Sequence, residues 1–174
     1  MGADSMATWA NKTVIMTTPK IGSKGEFLLG GAGNLGSLQI LHYGFKMPPI
    51  VEGQNQIGYL INEFAPAFRK KLKECGYLEV DKSKETVSNS FLIGFRGMLF
   101  SVSGDLSMVQ HADGYAAIGS GSEFALGVLH AYRNDKKIKP EALIKKALEA
   151  AAHHNPYVQE PFEIISGAEV KEEK

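Results

Sequence analysis

Apolar positions along this chain fall into short blocks whose internal period switches between that of a strand and that of a helix. From Lys12 to Thr18, the β-branched residues Thr13, Val14, Ile15, Thr17 and Thr18 predict a strand that Pro19 ends. The run from Gly25 to Gly30 holds Phe27, Leu28 and Leu29 between glycines and predicts another strand. It leads through Gly31-Ala32-Gly33 to Asn34, an N-cap for a helix reaching about Phe45. Beyond Pro48-Pro49 a longer helix is expected from about Gln54 to Glu74. Its inner face carries Ile57, Leu60, Ile61, Phe64, Phe68 and Leu72, and its outer face is lysine-rich.

The second half repeats the alternation. Tyr77 to Glu85 is polar and reads as a loop, after which Ser90 to Phe95 and Met98 to Val102 flank Arg96-Gly97, a hairpin-turn signal. A short strand, Tyr115 to Ile118, enters Gly119-Ser120-Gly121-Ser122, and a helix follows from Glu123 to Arg133. Pro140 suits the first turn of a further helix, whose inner face is Leu143, Ala147, Leu148, Ala151 and Ala152 and whose C-terminal end carries His153 and His154. A last strand is expected over Phe162 to Ser166, and residues 167–174 read as a solvated tail after one domain over 1–166. Strands grouped with paired helices suit a sandwich in which helices cover an antiparallel double sheet.

Composition narrows the function classes. A chain of 174 residues and 18.9 kDa fits one domain with a sizeable core. Lys plus Arg total 19 and Asp plus Glu total 19, so no basic surplus is available for nucleic acid or an anionic membrane. No apolar run approaches the roughly 20 residues of a membrane span, and the start lacks the basic and apolar regions of a signal peptide. The lone Cys75 suits a reducing cytoplasm. The histidines, His42, His111, His130, His153 and His154, show no metal-site spacing, and no cofactor is implied.

Three features could carry chemistry. Gly31-Ala32-Gly33-Asn34-Leu35-Gly36 matches the glycine fingerprint of dinucleotide sites. However, Pro48-Pro49 and Gln54-Asn55-Gln56 stand where a parallel strand with an acidic end should follow, which favours a plain strand-to-helix turn. Ser120 with Glu123 forms a capping-box pattern. Asp4 and Lys20 could be an ordinary exposed ion pair.

Several blocks in a fixed order add a further signal. Gly2-Ala3-Asp4-Ser5-Met6-Ala7-Thr8 with the later Lys20, then Phe27-Leu28-Leu29-Gly30-Gly31-Ala32-Gly33, then Ala117 to Leu129, then Ala150-Ala151-Ala152-His153, resemble proteasome β-type subunits and the related bacterial two-component protease. That resemblance spans nearly the whole chain. It implies an α+β fold, the four-layer αββα sandwich of the N-terminal nucleophile hydrolases, and a threonine-type peptidase that degrades unfolded polypeptide inside a homo-oligomeric ring. An ATP-dependent unfoldase would be its usual partner. The resemblance assigns Asp4 and Lys20 to the activation of the nucleophile and Ser120 to orienting a terminal amine. It also assigns the backbone of Thr8 to holding an extended substrate, and the amides around Ala32 and Gly33 to the oxyanion.

The resemblance also has gaps. The family's nucleophilic threonine lies well before the aspartate that Asp4 matches, whereas here only Met1-Gly2-Ala3 precede it, so the first strand reads as truncated and this form as inactive. Asn155 and Val158 stand where the family has an aspartate and a serine that support the amine, and Met6 replaces an arginine. A non-catalytic structural or binding homologue is the alternative these gaps motivate.

Overall fold

The computed structural model describes residues 1–10, 12–51, 53–81 and 84–167. Its strands are β1 (Gly2–Ala3), β2 (Met6–Trp9), β3 (Lys12–Ile15), β4 (Ile21–Lys24), β5 (Phe27–Gly33), β6 (Glu79–Asp81), β7 (Lys84–Thr86), β8 (Asn89–Phe95), β9 (Met98–Val102), β10 (Met108–Gln110) and β11 (Glu163–Ile164). Its helices are α1 (Leu35–Gln39), α2 (Gln56–Tyr59), α3 (Ala65–Glu74), α4 (Ser122–Tyr132) and α5 (Pro140–His154).

Five strands form one antiparallel sheet in the order β10-β9-β8-β5-β4. At its centre β5 pairs with β8 from Phe27 opposite Phe95 to Gly33 opposite Asn89. Alternation along these strands sends Phe27, Leu29, Phe91, Ile93, Phe95, Phe100 and Val102 to one face, all buried. Helices α1 to α3, with the turns that follow the first two, cover that face with Leu38, Leu41, Tyr59, Leu60, Phe64, Phe68 and Leu72. Phe27 stacks on Phe95 within the sheet, and edge-on Phe68 and Phe91 join the helix layer to it. The other face looks across to a second, narrow sheet of β1 and β11, and beyond it to α4 and α5, whose own core is small: Ala125, Leu129 and Ala147. The layer order is helix, sheet, sheet, helix, the αββα sandwich expected.

Several local expectations are corrected. The first two helices each widen into a π-helical turn, Ile40–Gly44 after α1 and Leu60–Phe64 after α2. The extra residue in the second turn rotates Ile61 outward to 53% exposure and brings Tyr59 inward, where its hydroxyl donates to the Pro48 carbonyl at 2.9 Å. The polar stretch Tyr77 to Glu85 holds the hairpin β6–β7, not a loop. Tyr115 to Ile118 is no strand: it has no ladder partner, and Tyr115 and Ala117 instead pack against the α4–α5 core. The short strand β10 was not foreseen. The turn at Arg96-Gly97 is as read, with φ of 46° and 78°, the positive pair that a two-residue hairpin requires. Apart from Gly167, the tail lies outside the described residues.

The two helix layers should differ in what they contribute. Phe68→Ala is expected to cost roughly 3–5 kcal/mol and Leu129→Ala roughly 2 kcal/mol. Denaturant unfolding of the two variants checks the order.

Candidate active site

Lys20 is the hinge of the site. It precedes β4, and its backbone carbonyl accepts the amide of Gly31 from the neighbouring strand β5 at 3.3 Å. Its ammonium donates to Asp4 Oδ1 at 2.8 Å, with side-chain exposures of 19% for Lys20 and 14% for Asp4. Asp4 Oδ2 accepts the amide of Met6 at 3.0 Å, so the carboxylate is held at both oxygens. Ser5 N donates to the Gln159 carbonyl and Ser5 Oγ to the Pro161 carbonyl, which ties the Asp4 segment to the chain before β11. The expected meeting of Asp4 and Lys20 therefore occurs, and in a partly buried setting rather than on the open surface.

Two glycine turns face each other beside this pair. Gly33 ends β5 at φ 116°, where a Cβ would run into the carbonyl of Ser88 just before β8. Asn34 then caps α1, its Oδ1 accepting the amides of Gly36 at 2.8 Å and Ser37 at 3.3 Å, as predicted. From the opposite layer Gly119, at φ 90°, packs so closely on Ala32 that a Cβ there would lie 3.1 Å from the alanine methyl. Ser120 follows and is exposed. The capping box is not formed, because Gly121 is the cap residue of α4 and no side chain bonds to the helix start. Asn155, at the end of α5, donates through Nδ2 to the Ser120 carbonyl at 2.7 Å, and Val158 packs on Gly121. Asp4, Lys20, Ala32, Gly33 and Ser120 line one cleft of about 1530 Å³ between the five-stranded sheet and α4–α5.

Thr8 also lines that cleft, but from the separate hairpin β2–β3, where it pairs with Thr13 and is exposed. The Gly31 to Gly36 fingerprint sits in an antiparallel sheet, which removes the parallel strand that a dinucleotide site needs. Among the described residues no three His, Cys, Asp or Glu side chains come close enough to hold a metal ion.

Sequence reasoning passed over Ser37 and Asn89, and weighed His42 only as a metal ligand. Ser37 and Asn89 are buried and bonded to each other behind the Gly33 turn. The available signal was a polar residue at a position whose period called for an apolar one. His42 lies half-buried under Lys20, its Nε2 3.4 Å from the Lys20 carbonyl. Burial lowers its pKa, the Lys20 carbonyl opposes that shift and the Lys24 charge adds to it.

Two expectations follow from this geometry. In a double-mutant cycle of Asp4→Asn and Lys20→Met, thermal or urea unfolding should give a coupling of about 1–2 kcal/mol, above the ~0.2–1 of an exposed pair. His42 is depressed below the 6.5 of its ordinary state, so the folded protein takes its proton less readily than the unfolded chain. The stability this supplies is full above the ordinary value and lost as the pH falls beneath it. Melting temperature should therefore drop more between about pH 7.5 and about pH 5 in the native protein than in His42→Gln.

No family model matches the chain. In sequence it is 26% identical over 155 residues to the ATP-dependent protease subunit HslV of Caldicellulosiruptor saccharolyticus, a match covering 87% of this chain and 82% of that protein. In structure it is similar to Thiobacillus denitrificans BPH, with a TM-score of 0.77 at 22% identity over 93% of this chain and 88% of the other. BPH has also been solved in complex with epoxomicin. The eukaryotic HslV from Trypanosoma brucei gives a TM-score of 0.64 at 20% identity, again over 93% of this chain and 88% of that one.

Proposed function

We propose that this chain, a homologue of HslV-type protease subunits with the proteasome-like fold, is a threonine-type peptidase subunit acting on unfolded polypeptide within a homo-oligomeric ring. The observation that carries this reading is the convergence of the Asp4–Lys20 pair with the Gly33 and Gly119 turns on one cleft. A hydroxyl is a poor nucleophile until a base takes its proton, and an ammonium beside it lowers the cost of the developing negative charge. Lys20 would supply that charge and Asp4 would keep it aimed. Ser120 would orient the amine that serves as base, with Asn155 steadying the Ser120 carbonyl.

The cleft also suits the substrate. Backbone around Thr8 would hold an extended peptide as an added strand, which tolerates many sequences. Amides at Ala32 and Gly33 would stabilise the oxyanion as the carbonyl becomes tetrahedral. Enclosure in a ring would restrict access to unfolded chains, with an ATP-dependent unfoldase as feeder and a cytoplasmic setting that fits the lone Cys75. Among the described residues no helix is long and apolar enough to cross a membrane.

A second reading, a non-catalytic subunit of the same fold, is favoured by Asn155 and Val158, which place an amide and an isopropyl group where the resemblance expects a carboxylate and a hydroxyl. The N-terminal residue and intact mass of the protein from its natural source, together with hydrolysis of a fluorogenic peptide, decide between the two. The expected result is a chain beginning at threonine that cleaves peptide, with turnover lowered about 100-fold or more in Lys20→Met. A natural start at Met1 or Gly2 with no peptide cleaved would establish the non-catalytic subunit.

A further inference from the structure

Ser37 and Asn89 are the buried polar side chains among the described residues, and both serve one turn. Ser37 sits on α1 and is fully buried, and Asn89 opens β8. The Ser37 hydroxyl lies 2.9 Å from the Asn34 carbonyl and also within bonding distance of Asn89 Oδ1. Asn89 Nδ2 donates to the same Asn34 carbonyl at 3.0 Å. On the other side of that residue the Asn34 amide donates to the Ser88 carbonyl at 3.2 Å. Asn34 is therefore held at its amide, its carbonyl and its side chain at once.

The immediate neighbour of this clamp is Gly33, the residue at φ 116° with no space for a Cβ. Isolated, such a glycine would sample several backbone wells. Here the strand fixes it on one side and the clamped Asn34 on the other. Polar groups in this layer carry a desolvation cost that apolar residues of similar volume would avoid, and the surrounding core is otherwise apolar. Satisfied networks of this kind rigidify what they touch.

We propose that Ser37 and Asn89 are positioning residues that act through Asn34 to hold the Gly33 amide in one orientation at the cleft. Their role in turnover rests on the peptidase reading above, since it is there that the Gly33 amide becomes an oxyanion donor. Their role in fixing the turn does not. A donor that wanders by a fraction of an ångström loses its advantage in the transition state while leaving ground-state peptide binding intact.

The test compares Ser37→Ala and Asn89→Leu with Leu41→Ala, a core variant in the same layer that does not line the cleft. Two quantities are measured on the protein from its natural source and on the variants: hydrogen exchange of the Asn34 amide, and kcat and KM for a fluorogenic peptide. Exchange at Asn34, whose amide is bonded to the Ser88 carbonyl, should quicken tenfold or more in the two polar variants. In Leu41→Ala, read at a temperature that matches global stability, it should not. Turnover should fall 10-fold to 100-fold in kcat with KM within twofold, whereas Leu41→Ala keeps its kcat. Should one polar variant fail to fold, the other carries both measurements. Equal exchange in all three variants at matched stability would overturn the proposal, as would a loss confined to KM. A native protein that cleaves no peptide would defeat the peptidase reading alone, and the exchange data would still decide the positioning role.

Discussion

The register between β5 and β8 governs everything downstream of it. Alternation commits Phe27, Leu29, Phe91, Ile93 and Phe95 to the helices α1 to α3, and in the same stroke commits Leu28, Gly30, Ala32, Ser90, Leu92 and Gly94 to the cleft. A slip of one residue would exchange the two sets and bury the wrong face. The cleft face is built to be low. Gly30 leaves the space that the Met1 sulfur occupies, and Ala32 leaves room for Gly119 to approach from the other layer. At the end of β5 the same register puts Gly33 opposite Asn89, so core packing, turn geometry and the buried polar clamp all answer to one pairing.

Lys20 shows how that sheet reaches the second layer. Its carbonyl belongs to the β4–β5 edge through Gly31, while its ammonium belongs to the Asp4 segment, which is in turn bonded to Gln159 and Pro161. A charge pair with both partners mostly shielded loses less to solvent screening than one on the surface, yet it must recover the cost of leaving water. The Met6 amide on the second Asp4 oxygen helps meet that cost. Lys24 makes a comparable internal contact on the opposite face, donating to the Leu41 carbonyl at 3.2 Å and to the Phe45 carbonyl, where the π-helical turn leaves acceptors free. Two lysines four residues apart, one just before β4 and one at its last position, thus tie the sheet to different layers.

Much of this was legible in the sequence, and the misses have physical causes. The β5 strand, the Asn34 cap, the Arg96-Gly97 hairpin, helices α4 and α5 and the Asp4–Lys20 meeting follow from local signals or from ordered blocks that survive divergence. Ile61 was misplaced because a π-helical turn inserts a residue that no 3.6-residue period anticipates. The Tyr115 to Ile118 strand failed because a β-branched or aromatic run becomes a strand only beside a partner edge, and here helices α4 and α5 take up its side chains. Ser120 does not cap α4, because Gly121 takes the cap position. Ser37 and Asn89 stayed hidden because a polar residue inside an apolar pattern looks like noise until its partner, 52 residues away, is seen beside it.

Position and charge separate at this site, and Asn155 shows where. Its amide holds the Ser120 carbonyl, and its own oxygen accepts the Tyr157 amide at 2.8 Å, so the Gly119 to Gly121 turn stays pressed against Ala32 without any carboxylate there. Val158 fills the space against Gly121 with an apolar group. The mechanical link between the two glycine turns therefore needs no carboxylate on α5. The Asn155 amide carries no charge, so it holds the turn without adding a charge of its own to the cleft. Beside the Gly33 turn the electrostatics then rest on Asp4 and Lys20, a pair whose placement depends on the first strands and on β4 rather than on α5.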